Sequence, residues 1–227
     1  MKNPGNFLLI LLFLTGIAIT GNAQLPDTLE MRTIALTFDD GPDPVYTRQI
    51  LKVLKREQVP ATFFLVGKEI PANRKVVKKI LKEGHCIGNH SYTHLDLWNY
   101  TCRSILEDEI EKNGELIRSA AGVVPRFFRA PYGDFPDSCR ATIESKGYYI
   151  VKWDVDPRDY DTLTVSSSDI VKFVTGHVTD KSVVLLHCAG GNRSNTATAL
   201  TEIIRILREE GYEFLRMDDL YGLPAYF

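Results

Sequence analysis

Seven short apolar runs, each of the first six followed by a helix or a helix-bearing connection, set the tightest limit on what this chain can fold into. They cover residues 33–36, 61–67, 86–89, 126–129, 148–153, 182–186 and 212–215. Their length and their Phe, Val, Ile and Tyr content read as buried strands. Between them, Val45, Gln49, Ile50, Val53 and Leu54 mark a helical stripe to about Gln58, behind Asp43-Pro44 as cap and first residue. Val76, Val77, Ile80 and Leu81 mark a second helix, stopped by Gly84, and Ile105, Leu106, Ile110, Leu116 and Ile117 a third over 104–121. Helices are also predicted over 137–145, 167–175 and 196–210. Such alternation argues for parallel βα units and, at this count and length, for a closed or partly closed α/β barrel. An open doubly wound sheet is the alternative, but no Gly-x-Gly-x-x-Gly follows the first strand.

The unusual polar residues collect at one end of these strands. Asp39 and Asp40 end the first, His90 and His94 follow the third, Arg129 with Pro131-Tyr132 ends the fourth, Asp156 and Asp159 follow the fifth, and His187 ends the sixth. That is the face on which α/β barrels build active sites. Adjacent carboxylates at the end of a buried strand repel each other and lose hydration, so a cation is expected beside them, although Asp-Asp-Gly-Pro also reads as a plain turn. His90 and His94, four apart, can share a metal or decorate a loop; joined to one carboxylate they become a catalytic zinc ligand set with open positions. Arg129 can hold an Asp ionised by a charge-assisted pair. His187 reads either as a hydrogen-bonded core residue or, with Asp159 or Asp156 on its ring, as a protonated acid. His85 and His177 have no such company and are taken as structural.

Lys2, the apolar stretch from Phe7 to Thr20 and the small residues Gly21-Asn22-Ala23 read as a secretory signal peptide over residues 1–23, with a retained anchor as the alternative. A mature domain over 24–227, exported to the periplasm or the medium, is expected, with one core and no stable membrane span after cleavage. Lys plus Arg number 27 against 29 Asp plus Glu, a balance without a footprint for nucleic acid or anionic membrane, so a neutral polymer or small substrate fits better. Cys86, Cys102, Cys139 and Cys188 match no zinc knuckle, and either bridges, in one of three pairings, or free buried thiols are compatible with export.

These stations resemble the polysaccharide deacetylases of the NodB-like group, carbohydrate esterase family four, over about residues 33–220. Thr37-Phe38-Asp39-Asp40-Gly41-Pro42 matches the first motif, His90-Ser91-x-x-His94 the second, Arg129-Ala130-Pro131-Tyr132-Gly133 the third, Asp156-Pro157-Arg158-Asp159-Tyr160 the fourth and Leu185-Leu186-His187 the fifth. The resemblance implies an α/β fold, a distorted (β/α)7 barrel of TIM-barrel type. It implies that Asp40, His90 and His94 hold Zn2+ or another divalent metal such as Co2+ or Ni2+. Asp39, paired with Arg129, would be the general base, the Tyr132 backbone N–H an oxyanion donor, and His187, oriented by Asp159, the acid for the departing amine. Trp153 and Leu185 would line an apolar pocket with Tyr132, unless they are plain core. The sequence departs from the pattern at Tyr160, where Trp is frequent, and at Cys188, where Asp is frequent.

The expected activity is metal-dependent removal of N-acetyl groups from an amino-sugar polymer or oligomer, peptidoglycan or chitin-like, by a monomer. O-deacetylation of xylan, hydrolysis of another small amide, and a non-catalytic carbohydrate-binding barrel are the competing readings. With no separate binding module, recognition would fall to rim aromatics: Tyr92, Trp98, Tyr100 and Tyr132 can stack on sugar rings, and Trp98 reads equally as a packing residue.

Overall fold

A computed structural model describes residues 31–227; the signal-peptide expectation for 1–23 lies outside the described residues. The sheet is assembled on β1 (Arg32–Gly41), whose residues Ile34 to Phe38 are almost entirely buried. β1 pairs in parallel with β2 (Thr62–Leu65) on one side and β6 (Ser182–His187) on the other, while its first residues pair with β7 (Tyr212–Phe214). β3 (Cys86–Asn89), β4 (Phe127–Phe128) and β5 (Tyr149–Ile150) extend the sheet beyond β2, giving the order β5-β4-β3-β2-β1-β6. The chain leaving β5 then returns to β6, where Val155 bridges Val184 in parallel and Leu185 N–H donates to Val155 O at 2.9 Å. This curls the parallel sheet into the distorted (β/α)7 barrel expected from the run of strands and helices.

The connections are α1 (Tyr46–Glu57), α2 (Ile70–Lys82), α3 (Cys102–Ser104), α4 (Lys112–Ala121), α5 (Arg140–Ser145), α6 (Ser167–His177) and α7 (Ser194–Glu209), with α8 (Met217–Tyr221) after β7. The largest apolar cluster packs Phe38, Phe63 and Leu186 of the sheet against Leu51, Leu54, Ile80 and Ile203 of the surrounding helices. α6 opens on a capping box in which Ser166 and Asp169 satisfy each other's backbone N–H groups, as Ser and Asp in its first turn predict. α1 starts later than the Asp43-Pro44 signal suggests: Asp43 Oδ1 accepts from Val45 and Tyr46, bracing the approach and leaving Tyr46 as first helical residue.

Two predicted strands shrink to the residue pairs Phe127–Phe128 and Tyr149–Ile150, and beyond them Arg129 reaches Asp39 and Trp153 lines the barrel mouth. The helix predicted over 104–121 begins at Cys102 and carries a π-helical stretch, Ile105–Glu111, before α4. The segment predicted helical over 137–145 begins with the 3-10 turn Asp137–Cys139, and Cys139 is bridged to Cys102. Cys86 and Cys188 are free and buried, so the four cysteines divide between the two states the sequence left open. Among the described residues no helix is long and apolar enough to cross a membrane.

Candidate active site

In a regular strand Asp39 and Asp40 would face opposite sides of the sheet. Here Phe38 pairs with Phe63 and Gly41 with Leu65, so three steps along β1 match two along β2, and Asp40 adopts φ 72° within the irregularity. This bulge turns both carboxylates to one rim. Asp39 Oδ2 and Asp40 Oδ1 lie 3.7 and 3.6 Å from the same nitrogen, His90 Nε2. Asp40 Oδ1 is also 3.0 Å from His94 Nε2.

Strand register brings up the other groups. Asp39 is the ladder partner of His187. His90 N–H donates to Leu65 O and Arg129 N–H to Asn89 O, each at 3.0 Å, which fixes β3 and β4 beside β1 at the mouth. The Arg129 guanidinium is fully buried, donating to Asp39 Oδ1 at 2.9 Å, Thr37 Oγ1 at 2.8 Å and Lys152 O at 3.0 Å, with its charge over the Phe64 ring. It neutralises one oxygen of Asp39 and leaves the other toward the histidines.

His187 stands on the far side of the cavity. Its Nδ1 is 2.6 Å from Asp159 Oδ1 and its backbone N–H donates to Asp159 Oδ2 at 2.9 Å, while Thr196 Oγ1 donates to the same oxygen at 2.7 Å. Burial by itself pushes this imidazole toward neutrality; the hydrogen bond and charge of Asp159, with Asp40 and Asp39 beyond, outweigh it and raise the pKa above the ordinary value. The Tyr160 ring meets His187 edge-on at 5.4 Å, so it forms a wall of the cavity at the departure from the family pattern. The second departure has a different outcome: Cys188 is buried, its Sγ donates to Asp39 O at 3.3 Å, and burial drives its pKa upward, so the thiol braces the strand end as a neutral group.

Between these groups lies a cavity of about 450 Å³ lined on its polar side by Asp39, Asp40, His90, His94 and His187, and on its apolar side by Ala130, Trp153 and Leu185. Tyr132 stands at its lip, 70% exposed and in a left-handed conformation at φ 59°. Backbone strain of this kind clusters at functional sites. A second hollow of similar volume shares Asp40, His94 and Tyr132 and runs past Pro42 toward Asn73, so the rim continues as a groove. Trp98 is 55% exposed on the connection between β3 and α3; it lines neither hollow, nor do Tyr92 and Tyr100, whereas Tyr132, Trp153 and Leu185 all line the site.

The ligand atoms offered by Asp40, His90 and His94 all lie within 4.8 Å of one another. Three observations fit a divalent cation there. Asp40 Oδ1 is buried yet accepts no hydrogen bond. His90 Nδ1 is 2.7 Å from Arg129 O, which fixes the proton on that nitrogen and leaves the Nε2 lone pair for the centre. A side chain at Gly190 would put its Cβ 2.6 Å from Asp40 Oδ2, so the carboxylate fills a cradle that only glycine permits. Burial disfavours an ionised Asp40, but its imidazole neighbours outweigh it and hold the carboxyl well below the usual range, so the group Asp40 offers is a carboxylate.

Residues beyond the predicted set hold the His94 loop. Glu109, 2% exposed within the π-helical stretch, accepts from Tyr92 N–H at 2.9 Å, Thr93 N–H at 2.8 Å and Thr93 Oγ1 at 2.8 Å. Asn113 Nδ2 donates to Leu65 O, Asn89 Oδ1 and Ser91 O, all within 2.9 Å, and His94 N–H donates to Ser91 Oγ. Ser91 and His94 sit at φ 63° and 60°, a strained turn that these bonds over-determine. The signal was present: Glu109 lies four residues after Ile105 and Asn113 three after Ile110, polar residues on an apolar stripe.

Fold and site together define an α/β-barrel hydrolase organised around an Asp-His-His centre. Residues 27–151 match the family described as polysaccharide deacetylase, and the chain belongs to that family. It is similar to a peptidoglycan-N-acetylglucosamine deacetylase of Bacillus cereus, 38% identical over 191 residues that make up 83% of this chain and 88% of the relative. A chitooligosaccharide deacetylase of a Bradyrhizobium species is 34% identical over 207 residues, 86% of this chain and 93% of the relative. The crystal structure of the Bc1960 peptidoglycan N-acetylglucosamine deacetylase, in complex with a hydroxamate-type benzamide, superposes with a TM-score of 0.82 at 35% identity, covering 86% of this chain and 90% of that one. The protein is therefore an enzyme, a polysaccharide deacetylase that hydrolyses amides other than peptide bonds.

Proposed function

We propose that this enzyme removes N-acetyl groups from an amino-sugar polymer outside the cytoplasm, with residues 1–23 serving as its signal peptide and 24–227 as its catalytic domain. The observation that carries the reading is the bulge at Asp40, which sets one carboxylate on two imidazoles and leaves its neighbour free. Asp40, His90 and His94 would hold Zn2+, with Co2+ or Ni2+ also suited to two nitrogens and an oxygen. Such an ion supplies Lewis-acid polarisation of the acetyl carbonyl and makes water a better nucleophile at neutral pH.

The chain's own groups supply the rest. Asp39, paired with Arg129 through one oxygen, takes a proton from the attacking water through the other. The Tyr132 backbone N–H donates to the developing oxyanion. His187, protonated through Asp159, gives its proton to the departing amine. The acetyl methyl is received by Leu185, Trp153 and Ala130, and the adjoining hollow accepts neighbouring sugars of an oligomer.

Acetate release from N-acetylglucosamine oligomers, peptidoglycan and acetylated xylan tests this directly. We expect turnover on the amino-sugar substrates and a loss of two to four orders of magnitude in Asp39→Asn, the usual worth of a general base. Turnover confined to acetylated xylan would replace the N-deacetylase reading by the esterase one.

A further inference from the structure

The near balance of charge over the whole chain conceals a segregation. Residues 45–84 carry ten basic against three acidic side chains, a net +7, and the remainder 17 basic against 26 acidic, a net −9. The excess is on the outer surface of α1 and α2. These helices flank a groove of about 720 Å³ lined by Lys55, Lys75, Lys78, Lys79, Lys82 and Glu83, closed by Gly84. Glu83 is already engaged, at 2.6 Å from Lys79 Nζ and 3.5 Å from Lys55 Nζ. Lys75, Lys78 and Lys82 are exposed and have no acidic partner within salt-bridge distance among the described residues. Like charges gathered in one concavity repel, and nothing in the packing of the barrel calls for them there.

The groove's position indicates its occupant. Lys55 lies in the last turn of α1 and Lys82 ends α2, just ahead of β2 and β3, so the groove opens on the rim where the strands begin, opposite the Asp-His-His centre. β1 also begins on that rim, at Arg32, so the groove and the catalytic mouth lie at opposite ends of the strands.

We propose that this lysine groove docks the enzyme on an anionic phospholipid surface. Lipid phosphates meet the unpaired ammonium groups, and the catalytic mouth points away from the bilayer toward the glycan. The proposal is independent of the deacetylase mechanism, since no residue of the groove reaches the site.

Co-sedimentation with vesicles tests it, using the chain from Gln24, which contains every residue of the packed barrel and removes the apolar leader as a source of binding. We expect sedimentation with equimolar phosphatidylglycerol and phosphatidylcholine, none with phosphatidylcholine alone, and release as salt is raised. The triple variant Lys75→Gln, Lys78→Gln, Lys82→Gln should bind on the order of a hundredfold more weakly, and the corresponding Arg variant should bind as the parent does. Equal melting temperatures and equal acetate release from a soluble oligomer would show that the variants are folded. Equal binding to both kinds of vesicle, or a Gln variant that binds like the parent, overturns the proposal. Retention by inorganic polyphosphate without retention on vesicles also overturns it, making the occupant a soluble polyanion.

Discussion

The division of labour proposed for Asp39 and Asp40 rests on one residue inserted into a strand. Without the bulge the two side chains would alternate across the sheet, and only one could meet His90. The sequence carries the pair itself and its cost, but not the irregularity, because φ 72° at an aspartate depends on pairing with β2 rather than on local composition. The histidine-aspartate pair across the cavity was legible only as an alternative, since whether Asp159 or Asp156 faces His187 depends on the long connection after β5. Asp159 does, and its consequence is measurable. Because Asp159 raises the His187 pKa, His187 in its proposed role as acid stays protonated to a higher pH, and kcat/KM should fall only above that raised value. Asp159→Asn removes the charge, lowers the pKa and should move the alkaline limb of the profile to lower pH; an unmoved limb would take His187 out of the acid's role.

At the scale of elements, the strands and helices were readable because each is either uniformly apolar or striped at the helical period. What failed was length at β4 and β5, each only two residues long because the chain bends toward the site directly after them, and character over Ile105–Glu111. Periodicity shows a helix there and cannot show that it is π-helical, yet that stretch carries Glu109 under the His94 loop. π-bulges recur at functional sites. The bonds from Glu109 to Tyr92 and Thr93 fix the turn that presents His94, so Glu109→Ala should weaken metal binding about 10- to 100-fold, the usual effect of losing an outer-shell partner. Calorimetric titration of the metal-free protein checks this. A lower melting temperature with unchanged affinity would mean that Glu109 supports only the fold. Cys102–Cys139 acts at the same scale, joining the start of this helix to the segment beyond Tyr132.

Over the whole molecule the two rims of the barrel have different physical characters. One gathers the acidic and imidazole groups of the site; the other is built on the start of β3, where His85 is 3% exposed with neither ring nitrogen hydrogen-bonded. Burial, helped by Lys79 and Arg216 and opposed by Glu83, lowers its pKa to about 4. In the unfolded chain the same group titrates near 6.5, so between about pH 6.5 and 4 the unfolded state takes up a proton that the folded state refuses. His85 should therefore leave stability unaffected above pH 6.5 and cost up to about 3 kcal/mol as pH falls to 4. Denaturant melts across that range should steepen with acidity, and His85→Phe should flatten that dependence; an equal slope in both proteins would assign the acid sensitivity elsewhere. The convergence of one rim's polar residues was visible in the sequence, whereas the lysine groove on the other was hidden by balanced totals. The central claim is that Asp40, His90 and His94 form a single metal centre, and its most direct measurement is the metal content of the protein after equilibrium dialysis against Zn2+. One ion per chain, lost in both Asp40→Asn and His94→Ala while the fold persists, is the predicted result; retention of a full equivalent by both variants would contradict it.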